Sequence, residues 1–424
     1  MYTPLYIGID IGTSGVRACV INDKNDLVYL CKTPLASPVK ENRSITQDAN
    51  LWWLATKKTL KDLFSHIDTY QVKAISVNGT SGTVLVCDAH GTPLGPARMY
   101  NDGFCSHQAA LIKSVAPADT AAHGVSSGLA KLLYLQQRYP QAKQLLHQAD
   151  WIAGKICGRF NISDANNALK TGYDPLNACW PNWFKDLNVN MQLLPEVVPP
   201  GTPVAKVQED LLSEFKLTPD CQIVSGTTDS IAAFIATGAH KPGDAVTSLG
   251  STLVLKVISD FPINAPEHGI YSHKLGDYWL AGGASNTGGA VLAHYFNQQQ
   301  INHLTDLLKP EEPTHLNYYP LIQAGERFPV NDPNIQPRLE PKAETELKFF
   351  QGLLEGISQI EKEGYQKLQQ LGAPFPSQIE TAGGGSKNAA WLQIREQVLG
   401  VAVKQAEYSE ACYGSALLAR QGAC

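Results

Sequence analysis

The sequence lacks most of the signatures that would assign it a common chemistry. No G-x-x-x-x-G-K-S/T stretch is present, and no G-x-G-x-x-G opens a first strand–helix unit, so neither a P-loop nor a dinucleotide fold is indicated. H-E-x-x-H and G-x-S-x-G are also missing, which argues against zinc peptidase and α/β-hydrolase chemistry. No apolar run approaches the roughly 20 residues that cross a bilayer. The N-terminus enters a strand-like run without a basic region or signal-peptide core, which implies a cytoplasmic protein. Nine cysteines are scattered without a C-x-x-C pair, the pattern of free thiols in a reducing compartment and not of a zinc site or disulfide framework. A net charge of −5 leaves no electrostatic footprint for nucleic acid.

What is present is enough chain for two domains. At 424 residues the protein exceeds one ordinary core, and 43% hydrophobic with 17% charged residues describes a globular composition. The first motif is Tyr6-Ile-Gly-Ile-Asp10-Ile-Gly12-Thr13-Ser14-Gly15-Val-Arg17, two apolar runs around a small polar turn, which reads as a β-hairpin. Small residues at its tip let an anion approach backbone N–H groups. Asp10 beside such a cradle would repel a phosphate unless a divalent metal such as Mg²⁺ lay between them. The bland alternative is an ordinary hairpin with a turn aspartate. A second hairpin of the same design follows at Asp244–Val257, with Gly250-Ser251-Thr252 at its turn.

Between the hairpins, a helix capped at Gln47-Asp48 is expected from about Asp48 and a strand over Val72–Val77. That strand runs into Asn78-Gly-Thr-Ser81-Gly-Thr83, a ligand loop or a simple turn, and Tyr100-Asn101-Asp102 places an amide and a carboxylate shortly after. Residues 104–160 read as mostly helical, with Leu129, Leu132, Leu133 and Leu135 in the core. Ser163–Ala168 fits capping and turn chemistry. In Ser225-Gly-Thr-Thr-Asp229-Ser230, a carboxylate opens an apolar helix, where it can cap the helix or act as a general base. Gly238–Gly243 reads as a hinge, giving domains 1–238 and 239–424. Residues 305–345 are expected to wrap the surface, and Leu347–Leu371 to form a long helix. Gly383-Gly384-Gly385-Ser-Lys-Asn388 lies between a strand and a helix, where bare backbone can take a flat ligand.

Five motifs in this order resemble the FGGY carbohydrate kinases of the actin-like ATPase superfamily, and within them the short D-ribulose kinases of plants and cyanobacteria. The resemblance implies an α/β fold of two actin-like, ribonuclease H-like domains, each a mixed sheet flanked by helices, with an ATP cleft between. It implies ATP and Mg²⁺ as cofactors, a small sugar as substrate, no nucleic-acid or membrane partner, and a monomer or homodimer. ATP would contact Gly12, Thr13, Ser14, Gly250, Ser251, Thr252, Gly384, Gly385 and Asn388. Asp10 and Asp229 would serve the metal, and Asp10, Ser81, Asn101, Asp102 and Asp229 the sugar, with Asp229 as catalytic base. Arg17 would neutralise phosphate charge or be an ordinary strand arginine. The implied reaction is phosphorylation of a ketopentose, with D-ribulose expected and D-xylulose or another ketose or polyol as the alternative. A more distant alternative is an actin-fold ATP binder without sugar kinase activity.

Overall fold

A computed structural model describes residues 3–423. By spatial contact the chain forms two units, one running up to Ala236 and regaining the segment from Glu410, the other spanning Thr237–Ser409. The chain's last helix, Ala411–Ala423, therefore departs from the expected 239–424 division and packs in the first unit. The reason lies in Gly8 and Gly414. A Cβ on Gly8 would stand 1.9 Å from the Cys412 carbonyl oxygen, and one on Gly414 would stand 1.8 Å from that of Ala232. Only glycine lets the helix settle this closely against the first strand and the helix Asp229–Ala236.

The first unit is built on a six-stranded mixed sheet ordered 203–206, 222–224, 72–79, 5–11, 15–22, 27–34. Strand Leu5–Ile11 pairs antiparallel with Gly15–Asn22 and parallel with Val72–Gly79. All seven of its residues are buried, which explains an unbroken apolar run: helices cover both faces, so no polar alternation is needed. On one side lies Ala49–Phe64, whose N-cap Asp48 accepts a hydrogen bond from Asn50 N–H, as the sequence led us to expect.

A second, five-stranded sheet in the same unit is ordered 39–41, 44–47, 97–98, 84–87, 144–147. It carries its own core with the helix Gly128–Arg138, including Val84, Val86, Leu129, Leu132 and Leu133. Strand Gln144–His147 corrects the helical reading of 104–160. Its short apolar run pairs with Val84–Cys87, and four residues carry no periodicity that separates strand from helix.

The second unit repeats the plan, with a sheet ordered 273–275, 278–285, 253–259, 244–249, 378–382, 402–405. In both units an antiparallel run, of three strands in the first and four in the second, adjoins two strands parallel to its first member, and the first sheet adds the antiparallel edge strand 203–206. The long helix Glu346–Gln370 buries Phe350, Leu353, Leu354, Ile357 and Ile360 against this sheet's core. Residues 305–345 do more than wrap the surface, because Tyr318, Tyr319, Leu321 and Phe328 are buried in that core. Among the described residues no helix is long and apolar enough to cross a membrane. The eight described cysteines are free thiols, and Cys424 lies outside the described residues.

Candidate active site

In the first unit, three parallel strands end side by side: Leu5–Ile11, Val72–Gly79 and Gln222–Val224. The carboxyl ends of parallel strands are where open α/β sheets place ligands. Asp10 pairs with Asn78 in register, and a parallel bridge joins Gly79 to Thr228. The start of the Asp229 helix therefore lies beside the start of the 80–83 loop.

Asp10 is only 4% exposed and accepts a hydrogen bond from Arg17 Nη1 at 3.1 Å. Burial, then the neighbouring Asp229 charge, pushes its carboxyl up to about 6, even though Arg17 opposes the shift. Arg17 in turn reaches Glu410 at 3.8 Å, so it is shared between two carboxylates. Asp229 is half-buried at the first helical position, and its Oδ1 accepts the Ser230 N–H at 2.7 Å. The first turn of that helix is closed by the Thr228 carbonyl, which accepts from Ile231 and Ala232. The hairpin turn is closed by Gly12 N–H donating to the Gly15 carbonyl at 3.0 Å, leaving Ser14 exposed at its tip. Among the described residues no group of three or more His, Cys, Asp or Glu is placed to hold a metal.

The 80–83 loop crosses from the main sheet to the small one. Gln148 fixes it: its Oε1 accepts from Thr80 N–H at 3.0 Å and from Thr80 Oγ1 at 2.8 Å. Gln148 N–H also donates to the Thr83 carbonyl. Ser81 is treated differently, because its Oγ is buried and has no partner within the protein. Leaving a buried hydroxyl unpaired costs about 1–3 kcal/mol, so a ligand that bonds it recovers that energy. Asn78 turns away and donates to Ala411 O and Ser415 Oγ, fastening the last helix.

Asn101 is exposed, whereas Asp102 is engaged by the protein itself. Asp102 is wholly buried and accepts from Arg98 Nη1 at 2.7 Å, Phe104 N–H at 2.8 Å and Ile45 N–H at 3.3 Å. Three protein donors take most of this carboxylate's acceptor sites, so it shapes the loop. Arg98 is held against the Phe104 and Tyr134 rings, at 4.6 and 4.3 Å from their centroids.

In the second unit, Gly250, Ser251, Gly384, Gly385 and Asn388 line one cavity of about 660 Å³, within the range of small-ligand sites. Helix Gly289–Tyr295 braces the hairpin turn, since Gly289 N–H donates to Gly250 O and Ala290 N–H to Ser251 O. Thr252 lies in the same turn, where its carbonyl accepts from Gly250 N–H at 3.2 Å. Asn388 caps the helix Ala389–Leu399 by accepting from Trp391 N–H, and its Nδ2 donates to Thr305 Oγ1. Its amide is thus occupied on both sides. The opposite wall comes from helix Gln298–Leu307, through Ile301, Asn302 and Thr305, which carries no glycine or motif to mark it in the sequence.

Residues 5–236 match the FGGY family of carbohydrate kinases, N-terminal domain, and residues 245–422 match its C-terminal domain. The xylulose kinase of Staphylococcus epidermidis is 23% identical over 441 residues, covering 100% of this chain and 88% of the relative. A D-ribulokinase of Saccharomyces cerevisiae is 20% identical over 512 residues, covering 97% and 71%. Among solved structures, a "xyloylose kinase" from Brucella ovis superposes with a TM-score of 0.86 at 23% identity, covering 99% of this chain and 90% of that one.

Proposed function

The chain belongs to the FGGY family of carbohydrate kinases, and from that premise we propose that it transfers the γ-phosphate of ATP to a hydroxyl of a ketopentose. The observation that carries this reading is Asp229 beside the loop that holds the unpartnered Ser81 hydroxyl. Asp229 is the general base, taking the proton from the attacking hydroxyl. Ser81 and Asn101 hold the sugar, and Asp102 keeps Asn101's loop in shape. Catalysis in such a transfer is positioning and charge neutralisation more than covalent chemistry.

The glycine loop 383–385 and the cavity beside it suit a nucleoside, and the Gly12–Ser14 and Gly250–Thr252 turns suit phosphates. Asp10 and Asp229 fit Mg²⁺: a buried carboxylate whose proton affinity its carboxylate neighbour raises makes, with that neighbour, the oxygen donors a hard cation takes, with waters completing its shell. When bound, the ion supplies neutralisation of phosphate charge. Arg17 supports the same end while orienting Asp10. Reduced thiols throughout the described chain favour a cytoplasmic setting.

Two sugars compete. The first-matching relatives bear the name xylulose kinase, which favours D-xylulose over the D-ribulose expected from the sequence. D-Ribulose remains a second reading, because the small residues of the 80–83 loop leave the Ser81 hydroxyl without a protein partner where a bulkier loop would fill space, and a D-ribulokinase is also a relative. The two sugars differ at C3, so the groups facing mid-chain hydroxyls decide between them. The test is kcat/KM on a panel of D-xylulose, D-ribulose, L-ribulose and ribitol. A preference of tenfold or more for one ketopentose, about 1.4 kcal/mol, decides the pair, and a preference for ribitol would overturn the ketopentose reading.

A further inference from the structure

The sequence places Lys131 in a leucine-rich stripe, and there it is wholly buried, on the helix Gly128–Arg138. A lysine in an apolar core is held there against its preference for water. The bonds of its ammonium group go to three backbone carbonyls: Gly82 O at 2.7 Å, Met99 O at 2.8 Å and Tyr100 O at 3.5 Å. These carbonyls belong to two separate loops. Gly82 follows Ser81, and Tyr100 precedes Asn101.

We propose that Lys131 is the positioning residue of the sugar site, tying the Ser81 loop to the Asn101 loop so that the two groups meet the sugar in fixed register. The proposal rests on the reading of these loops as the sugar site and adds a residue that touches no substrate.

Three features support it. The two loops leave different strands, Val72–Gly79 and Ala97–Arg98, and Lys131 supplies side-chain hydrogen bonds to the backbone of both. Neither loop's carbonyl would find an equivalent donor in a methionine of similar length. Burial also pushes the Lys131 ammonium down to about 8, with Asp102 opposing the shift, so the cation is a burden on the fold. A group kept in spite of that burden is explained by what it holds. The neighbouring Arg98–Asp102 pair does not reach the 80–83 loop, so beside the strand pairing of Val84 with Arg98 the side-chain tie between the loops is Lys131.

The test compares wild type with Lys131→Met. Hydrogen exchange in the free protein should speed up about tenfold or more at 80–83 and 99–104, with the main sheet unchanged. The sugar KM should rise about tenfold or more while kcat and the KM for ATP stay within about twofold, and the melting temperature should hold or rise because a buried charge is gone. Exchange unchanged at both loops, or a sugar KM within about twofold of wild type, overturns the proposal. So does a variant that no longer melts cooperatively, since the lysine would then serve the fold at large. If wild type phosphorylates no sugar, the kinase reading fails separately, and the exchange measurement still decides whether the tie exists.

Discussion

Arg17 donates to Asp10 at 3.1 Å across the register pair Asp10–Arg17, one pair back from the end of the first hairpin. This contact orients the Asp10 carboxylate yet does not make it acidic. Burial and the nearby Asp229 outweigh Arg17, and the carboxyl sits at about 6 instead of 3.8.

A pH signature follows. A carboxyl whose folded value lies above its unfolded one gives the native state more protons between about pH 4 and 6, so stability falls as pH rises through that window. Asp10→Asn removes the group. The variant should match wild type near pH 4 and exceed it by up to roughly 3 kcal/mol above pH 6 without metal. Mg²⁺ should raise the melting temperature of wild type at pH 8 and leave that of Asp10→Asn unmoved. Denaturation curves from pH 4 to 8, with and without Mg²⁺, check both statements. Parallel curves for the two proteins would remove Asp10 from the metal site.

Ser81→Ala should weaken the site without harming the fold. The hydroxyl is buried and unpartnered, so its loss should stabilise the free protein slightly by relieving an unpaired group. The sugar KM or kcat/KM should worsen by about 1–3 kcal/mol, roughly five- to 150-fold, as for a lost sugar hydrogen bond. Steady-state kinetics beside a thermal melt measures the two effects independently. Unchanged kinetics would take Ser81 out of the sugar site.

The second unit offers a stability test. Arg395 and Glu361 are both fully buried and paired in two bonds of 2.6 and 2.7 Å, and Arg395 also donates to Thr381 Oγ1 at 2.7 Å. Thr247, on the strand leading to the second hairpin turn, donates to the same glutamate. Arg395→Met strands a buried carboxylate and should cost about 3–5 kcal/mol, whereas Glu361→Leu combined with Arg395→Met should recover most of it. Urea denaturation of the single and double variants reads the difference. Equal losses in both would mean that the pair contributes by attraction and not by mutual neutralisation.

The hairpins, the Asp229 helix and the triple-glycine turn were legible in the sequence because turn chemistry and capping are local. Asp48, which caps its helix as expected, is of the same kind. Long-range relationships were not legible. Nothing near Gly8 announces that Cys412 will lie against it, so the return of the last helix was missed. The partners that hold Asp102, namely Arg98, Ile45 and Phe104, include one 57 residues away in sequence, so its part in shaping the loop was hidden as well. Lys131 was hidden by its leucine neighbours, although a charge inside an apolar stripe was the signal that could have found it. The same holds for helix Gln298–Leu307, whose role as a cavity wall depends on where the chain brings it.

The most direct test of the central claim is sugar-dependent release of ADP by wild type and Asp229→Asn, with ATP binding followed in parallel. The account predicts that wild type releases ADP rapidly only when a ketopentose is present. Asp229→Asn should bind ATP as wild type does, keep its fold, and lose about 10²–10⁴-fold in kcat, the contribution of a positioned base. ADP release indifferent to every ketopentose, or an Asp229→Asn enzyme turning over near the wild-type rate, would contradict it.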